Sequence, residues 1–159
     1  MAIVLIRVDE RLIHGQVVIG WGSRLQPDRY VVVDDLLAES EWEQDLYELG
    51  VSDDVELEFL TADEARDRLE TWRDSPHDTV ILTRTLQAAL ALAREGALKG
   101  GAINLGGLHA RRGREEVLPY LFLDPEEREV LRALADEGVE VSAQDLPGSP
   151  KVRLSTLLS

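Results

Sequence analysis

"IVLIRVDERLIHGQVVIGW", residues 3–21, decides how this chain is read. An apolar, β-branched run ends in the charges Arg7, Asp9, Glu10 and Arg11, then reaches His14 and Gly15 and turns helical in pattern. A short apolar run reads as a buried strand, and helical periodicity straight after it reads as the return leg of a βαβ unit. Residues 2–8 are therefore expected as a strand and 15–25 as a helix, despite the glycines in the latter.

The same alternation recurs downstream. Residues 29–34 and 55–60 read as strands, with a helix over 38–49 between them. Thr61 and Glu64 form a capping-box pair opening the helical TADEARDRLETW. A strand over 78–83 precedes a helix over 86–96 closed by glycine, and 102–105 is a fifth strand ending in Gly106–Gly107. The segment 108–123 is less regular and reads as a loop plus an extended piece. Asp124 caps the helix PEEREVLRALADEG, which carries proline at its first position. Residues 139–144 give a sixth strand, and the tail VRLSTLL reads as one or two helical turns. Repeats, low-complexity tracts and linkers are absent from the sequence. The expected fold is α/β: a single domain built on a mostly parallel, doubly wound sheet of about six or seven strands, with helices on both faces. Such sheets bind ligands at the carboxyl ends of their strands. The candidates for chemistry are thus Asp9 to His14, Asp34–Asp35, Thr83–Arg84 and Asn104 to Gly107.

Composition narrows the function. The 159 residues suit one domain, and the absence of cysteine excludes disulfides and thiolate metal sites. Charges follow the first apolar run too soon for a signal peptide, and no apolar stretch approaches the roughly 20 residues that cross a bilayer. A cytoplasmic protein is expected. Thirty-one acidic against 17 basic residues give a net charge of -14, which argues against nucleic-acid binding. P-loop, GxGxxG and GxSxG patterns are missing, and the three histidines lack metal-ligand spacing, so no cofactor or metal is expected.

His14 is set apart by its position. At the start of a helix, unpaired backbone amides and the positive end of the dipole favour an anion over a charged imidazole. A neutral ring there can act as a nucleophile. Arg11 brings a guanidinium suited to phosphate, Asp9 can fix which ring nitrogen attacks, and Gly15 permits close approach. The plainer alternative is that His14 caps a helix and Arg11 pairs with Asp9; composition and spacing leave both open. His109 lies beside Arg111, Arg112 and Arg114, a basic patch that either docks an acidic partner, guides a phosphoryl group or is a solvated loop. His77 reads as loop punctuation. Asp34 and Asp35 cap the next helix or line the site, and Arg84 reaches the cleft or pairs with a carboxylate. Trp42 and Trp72 read as packing residues.

"RVDERLIHGQV", residues 7–17, resembles the signature of the IIB subunits of the mannose/fructose/sorbose family of the bacterial sugar phosphotransferase system. The likeness continues in "YVVVDD", "INLGG" and "GVEVSAQDLPGSP", covering essentially the whole chain. The acidic region 36–54 and the pair Arg84–Thr85 depart from the family pattern. The resemblance implies a single IIB-type phosphocarrier domain over residues 1–159, a protein-Nπ-phosphohistidine–sugar phosphotransferase component. It implies that His14 takes a phosphoryl group on Nδ1 from a IIA phosphodonor. The group then passes to a sugar held by a IIC/IID membrane permease, without the chain spanning the membrane. Asp9 and Arg11 would share the catalytic loop, the amides of Gly15, Gln16 and Val17 would bind the phosphate, and Asn104, Gly106, Gly107 and Arg84 would form its rim. Arg111, Arg112 and Arg114 would dock a partner. The alternative is a regulatory phosphoprotein that keeps this loop without a dedicated transporter.

Overall fold

The structure, a computed structural model, describes residues 2–159. Nine strands occur in chain order: β1 (Ile3–Val8), β2 (Arg29–Val33), β3 (Glu56–Leu60), β4 (Thr79–Thr83), β5 (Ala102–Leu105), β6 (Glu115–Leu118), β7 (Leu121–Leu123), β8 (Glu140–Ala143) and β9 (Val152–Arg153). Seven of them form one sheet in the order β3-β2-β4-β1-β5-β8-β9, parallel except for β9 at the edge. β6 and β7 pair as a separate antiparallel hairpin.

The helices cover both faces. A π-helical stretch, Gln16–Trp21, runs into α1 (Gly22–Leu25), and α2 (Glu41–Glu48), α3 (Ala62–Arg73), α4 (Leu86–Ala93), α5 (Pro125–Asp136) and α6 (Leu154–Leu157) follow. Alternate residues of β2 show how the sheet is buried on both sides. Val31 and Val33 join Leu69, Trp72, Leu86 and Leu131 in the core under α3–α6, whereas Tyr30 and Val32 join Leu12, Ile13, Val17 and Leu37 on the opposite face. Both expected capping devices form: the Thr61 hydroxyl accepts from the Glu64 amide, and Asp124 accepts from the Glu127 amide. No helix among the described residues is long and apolar enough to cross a membrane.

Five local expectations differ from the structure. The segment 108–123 closes into the β6–β7 hairpin rather than a loop with one extended piece. The tail adds β9 to the sheet edge before its helical turn, because Val152 and Arg153 pair with Ala143 and Ser142. The helix expected over 38–49 is a 3-10 turn (Leu37–Glu39) and then α2, and the one over 86–96 breaks after Ala93 into a 3-10 turn. Trp72 is fully buried as expected, but Trp42 is 67% exposed.

Parallel pairing of six strands brings their carboxyl ends to one edge. Asp9, Asp34, Arg84, Gly106 and Gln144 therefore all emerge on the same rim of the sheet.

Candidate functional site

The loop after β1 is pinned by its neighbours. The Asp9 amide donates to Thr83 O (2.9 Å) and the Glu10 amide to Gly107 O (2.9 Å), tying the loop to the ends of β4 and β5. Leu12 then takes a left-handed conformation, φ 56°, and its amide donates back to Asp9 O. A branched aliphatic residue in that region costs about 1–3 kcal/mol. Burial of the Leu12 and Ile13 side chains in the core holds the turn against that strain. The apolar pair thus lifts His14 to the rim.

His14 Nε2 lies 3.1 Å from Asp9 Oδ2, while Nδ1 has no partner among the described residues. The ring is partly exposed, and a Cβ added to Gly15 would meet nothing within 4 Å, so the face beside it is open. Because the Asp9 carboxylate can only accept, this contact places the proton of a neutral ring on Nε2 and leaves the Nδ1 lone pair outward. His14 O accepts from the amides of Val17 and Val18, which opens the π-helical stretch. The amides of Gly15 and Gln16 find no acceptor among the described residues. Val17 does not fit the expected amide cradle: its N–H is bonded to His14 O and its side chain is fully buried.

Asp9 is the hub. Fully buried, it accepts from Arg11 N (3.0 Å), Arg11 Nε (3.2 Å) and Arg11 Nη2 (3.2 Å), from Arg7 Nη2 (3.1 Å) and from His14. Burial alone would raise its pKa, but the hydrogen bonds from His14 and Arg11, with the charge of Arg7, outweigh it and hold the carboxyl well below the usual range. Arg11 is accordingly clamped on Asp9, as the plainer alternative supposed, and its Nη2 also donates to Gln16 Oε1 at 2.7 Å. It stays about one-third exposed, on the same rim as His14. Two guanidiniums around one carboxylate leave a net charge of +1 beside the ring, which favours an anion.

Arg7 was missed by the sequence reading as a site residue, and it holds the assembly together. Its side chain is fully buried; Nη1 donates to Asn104 Oδ1 (2.5 Å) and Gln144 O (2.9 Å), and Nη2 to Asp9 and to Asp145 O (3.0 Å). The guanidinium lies 5.4 Å from the Trp21 ring, whose Nε1 donates to Asp145 O. Gly106 gives it room, since a Cβ there would collide with the guanidinium. The signal was present: an arginine inside IVLIRV must be buried, and a buried arginine must be paired. Asn104 is correspondingly turned inward onto Arg7 rather than lining a rim.

The remaining candidates divide. Gly107 lies under Arg11 and His109: a Cβ there would be 3.2 Å from Arg11 Nη2 and 3.2 Å from His109 Nε2. Arg84 donates to Tyr47 Oη (3.1 Å) and faces Asp34 and Glu43, each at 3.9 Å, so it pairs with carboxylates at the edge of the cleft. Asp34 caps the turn after β2 through the amides of Leu36 and Leu37, and Asp35 accepts from Ala62 N. Arg114 leaves the docking patch altogether. It is 3% exposed, bonded to both oxygens of buried Glu127 and to Glu10, and so stitches the hairpin to α5. Arg111 and Arg112 are exposed. His109 Nδ1 faces Glu10 at 3.3 Å, and exposed His77 faces Asp28. Among the described residues no cluster of His, Asp and Glu is placed to hold a metal ion.

The model of one protein family, the sorbose-subfamily IIB component of the phosphotransferase system, matches residues 3–159. The chain belongs to that family. It is 30% identical to the N-acetylgalactosamine-specific phosphotransferase enzyme IIB component 1 of Escherichia coli, over 96% of each chain. It is 26% identical to the mannose-specific EIIAB component of Escherichia coli, over all of this chain and 49% of that longer protein. Among solved structures, the IIB domain of the sorbose permease from Klebsiella pneumoniae superposes with a TM-score of 0.85 at 25% identity, covering 99% of this chain and 96% of that one. The seven-stranded α/β architecture and the family expected from "RVDERLIHGQV" are therefore both found. IIB components of this family are phosphotransferase components of sugar transport.

Proposed function

We propose that His14 is the phosphoryl acceptor of a IIB phosphocarrier formed by residues 1–159 and working in the cytoplasm. The observation that carries this reading is the division of the ring: Nε2 is held by a buried carboxylate and Nδ1 is free. A phosphorylated IIA protein presents its phosphohistidine to the open face beside Gly15. The Nδ1 lone pair attacks phosphorus, the N–P bond of the donor breaks, and the donor histidine leaves as neutral imidazole. The His14 ring then carries a positive charge shared between Nδ1–P and Nε2–H, which the Asp9 carboxylate stabilises. No proton has to move in this step.

Phosphoryl transfer demands mainly positioning and charge stabilisation, which Arg11 and the amides of Gly15 and Gln16 supply. Arg7 and Asn104 act through Asp9 and are positioning residues. In the second step a hydroxyl oxygen of the sugar held by the IIC/IID permease attacks phosphorus, the Nδ1–P bond breaks, and His14 returns to its neutral form. The hydroxyl proton leaves on the permease side. The test is incubation with phosphoenolpyruvate, enzyme I, HPr and a IIA protein carrying radiolabelled phosphate. Acid-labile label lost in His14→Ala and kept in His77→Ala and His109→Ala supports the assignment; label persisting in His14→Ala overturns it.

A further inference from the structure

Helix α2 carries an apolar strip on the wrong side. Trp42, Leu46 and Leu49 recur at i, i+4 and i+7 and are 67%, 58% and 84% exposed; Leu36, just ahead of the helix, is 81% exposed. A helix of a monomer turns such a stripe toward the core. Here the inward side is already taken. Gln44 Nε2 donates to Leu37 O and Ala38 O, and Tyr47 packs against Phe59 with ring centroids 6.4 Å apart. The strip is not isolated from the site, because the groove beside α2 is lined by Ile13, Trp42, Leu46, Tyr47 and Gly50, and Ile13 precedes His14. A partner filling that groove arrives next to the His14 ring.

The surroundings say what kind of partner fits. Residues 35–54 contain eight Asp and Glu and no Lys or Arg, and seven of those acids (all but Glu43) are exposed. A second copy of this chain on the strip would set eight negative charges against eight, and an anionic lipid surface would be repelled. The complement is an apolar ridge flanked by Lys and Arg. Cytoplasmic loops of membrane proteins carry an excess of those residues. Phosphorylation also places a doubly negative phosphoryl group on a ring that turns positive, so the chain gains about one net negative charge, strengthening attraction to a basic surface when there is a group to deliver. A phosphodonor, by contrast, carries its own phosphoryl charge toward the same acidic rim.

We propose that the Trp42–Leu46–Leu49 strip with its acidic border docks the Lys/Arg-rich cytoplasmic loops of the membrane permease that receives the phosphoryl group. The inference rests on the functional reading above and names the partner that this side of the site serves. Trp42, a large aromatic at the groove, is the anchor.

The test uses the full chain and inverted membrane vesicles bearing the IIC and IID components encoded in the same genome, against vesicles lacking them. Co-sedimentation reads docking without any phosphoryl transfer, so failure of His14 labelling would count against the functional reading alone. The double variant Trp42→Ser/Leu46→Ser is expected to bind permease vesicles at least roughly tenfold more weakly while taking label from phosphorylated IIA within about twofold of the wild-type rate. Glu41→Lys/Asp45→Lys is expected to weaken binding and flatten its salt dependence. Both pairs are exposed, and an unchanged unfolding midpoint confirms intact folding. Equal sedimentation with both kinds of vesicle, or binding undisturbed by either variant, would overturn the proposal. So would a defect confined to the IIA step, or a wild-type dimer that the serine variant dissociates.

Discussion

Gly106→Ala should strike the site from beneath without touching His14. A Cβ at this position would lie 2.7 Å from Arg7 Nε and closer still to Nη2 and Cζ. An exposed arginine would simply swing aside. Arg7 cannot, because its guanidinium is fully buried and holds four hydrogen bonds, to Asn104, Gln144, Asp9 and Asp145. Displacing it breaks at least two bonds to a charged donor, each worth about 1.5–3 kcal/mol. Loss of a buried ion-pair partner altogether would cost about 3–5 kcal/mol, which bounds the effect from the other side. The gain from restricting the unfolded chain, about 0.4–1 kcal/mol, offsets part of this. The expected net loss is about 2–4 kcal/mol. Gly107→Ala is the matched control: its Cβ would stand 3.2 Å from Arg11 Nη2 and from His109 Nε2, a tight contact that these partly exposed side chains relieve by shifting a few tenths of an ångström without leaving their partners, so its effect should stay below about 1 kcal/mol. In urea unfolding, with a slope near 2 kcal/mol/M, Gly106→Ala should lower the midpoint by roughly 1–2 M. Equal midpoints for the two alanine variants would show that Arg7 has room to move.

Arg11→Ala should slow phosphoryl transfer to His14 more than about tenfold in single-turnover labelling while leaving the chain folded; unchanged kinetics would show that the backbone amides suffice. Arg114→Ala should destabilise the protein by about 3–5 kcal/mol, since it strands buried Glu127, whereas Arg112→Ala should change the unfolding midpoint little. The Asp9 carboxyl is held below its ordinary pKa, so its stabilisation is complete above about pH 3.9 and is lost as pH falls toward the depressed folded value. The stability gap between wild type and Asp9→Asn should therefore narrow as pH falls from about 4 toward 2 in urea melts; a constant gap would contradict the linkage.

Period and punctuation made the sheet legible. The β-branched runs of β1, β2, β4 and β5 and the capping residues Thr61 and Asp124 are local signals that tertiary packing reinforces. Once the strands were parallel, their carboxyl ends had to share an edge, and Asp9, Arg11 and His14 followed. What stayed hidden depends on contacts distant in sequence. The β6–β7 hairpin turns at Pro119–Tyr120 with little alternation to mark it, and β9 is a strand only because Ser142 and Ala143 present a free edge. Arg114 looked like surface charge because its partner Glu127 is 13 residues away on α5. Trp42 looked like packing because aromatic residues usually are; only the register of α2, set by Gln44 and Tyr47, turns it outward. Arg7 could have been found by asking what neutralises a charge inside an apolar strand.

Phosphocarrier chemistry at this site requires a free Nδ1 on His14. Histidine-labelled protein, observed by nitrogen NMR before and after phosphorylation through IIA, tests this directly. The resting His14 ring should carry its proton on Nε2, and the phosphorylated form should show phosphorus coupled to Nδ1 of His14. A resting proton on Nδ1, or phosphorus on Nε2 or on His109, would contradict it.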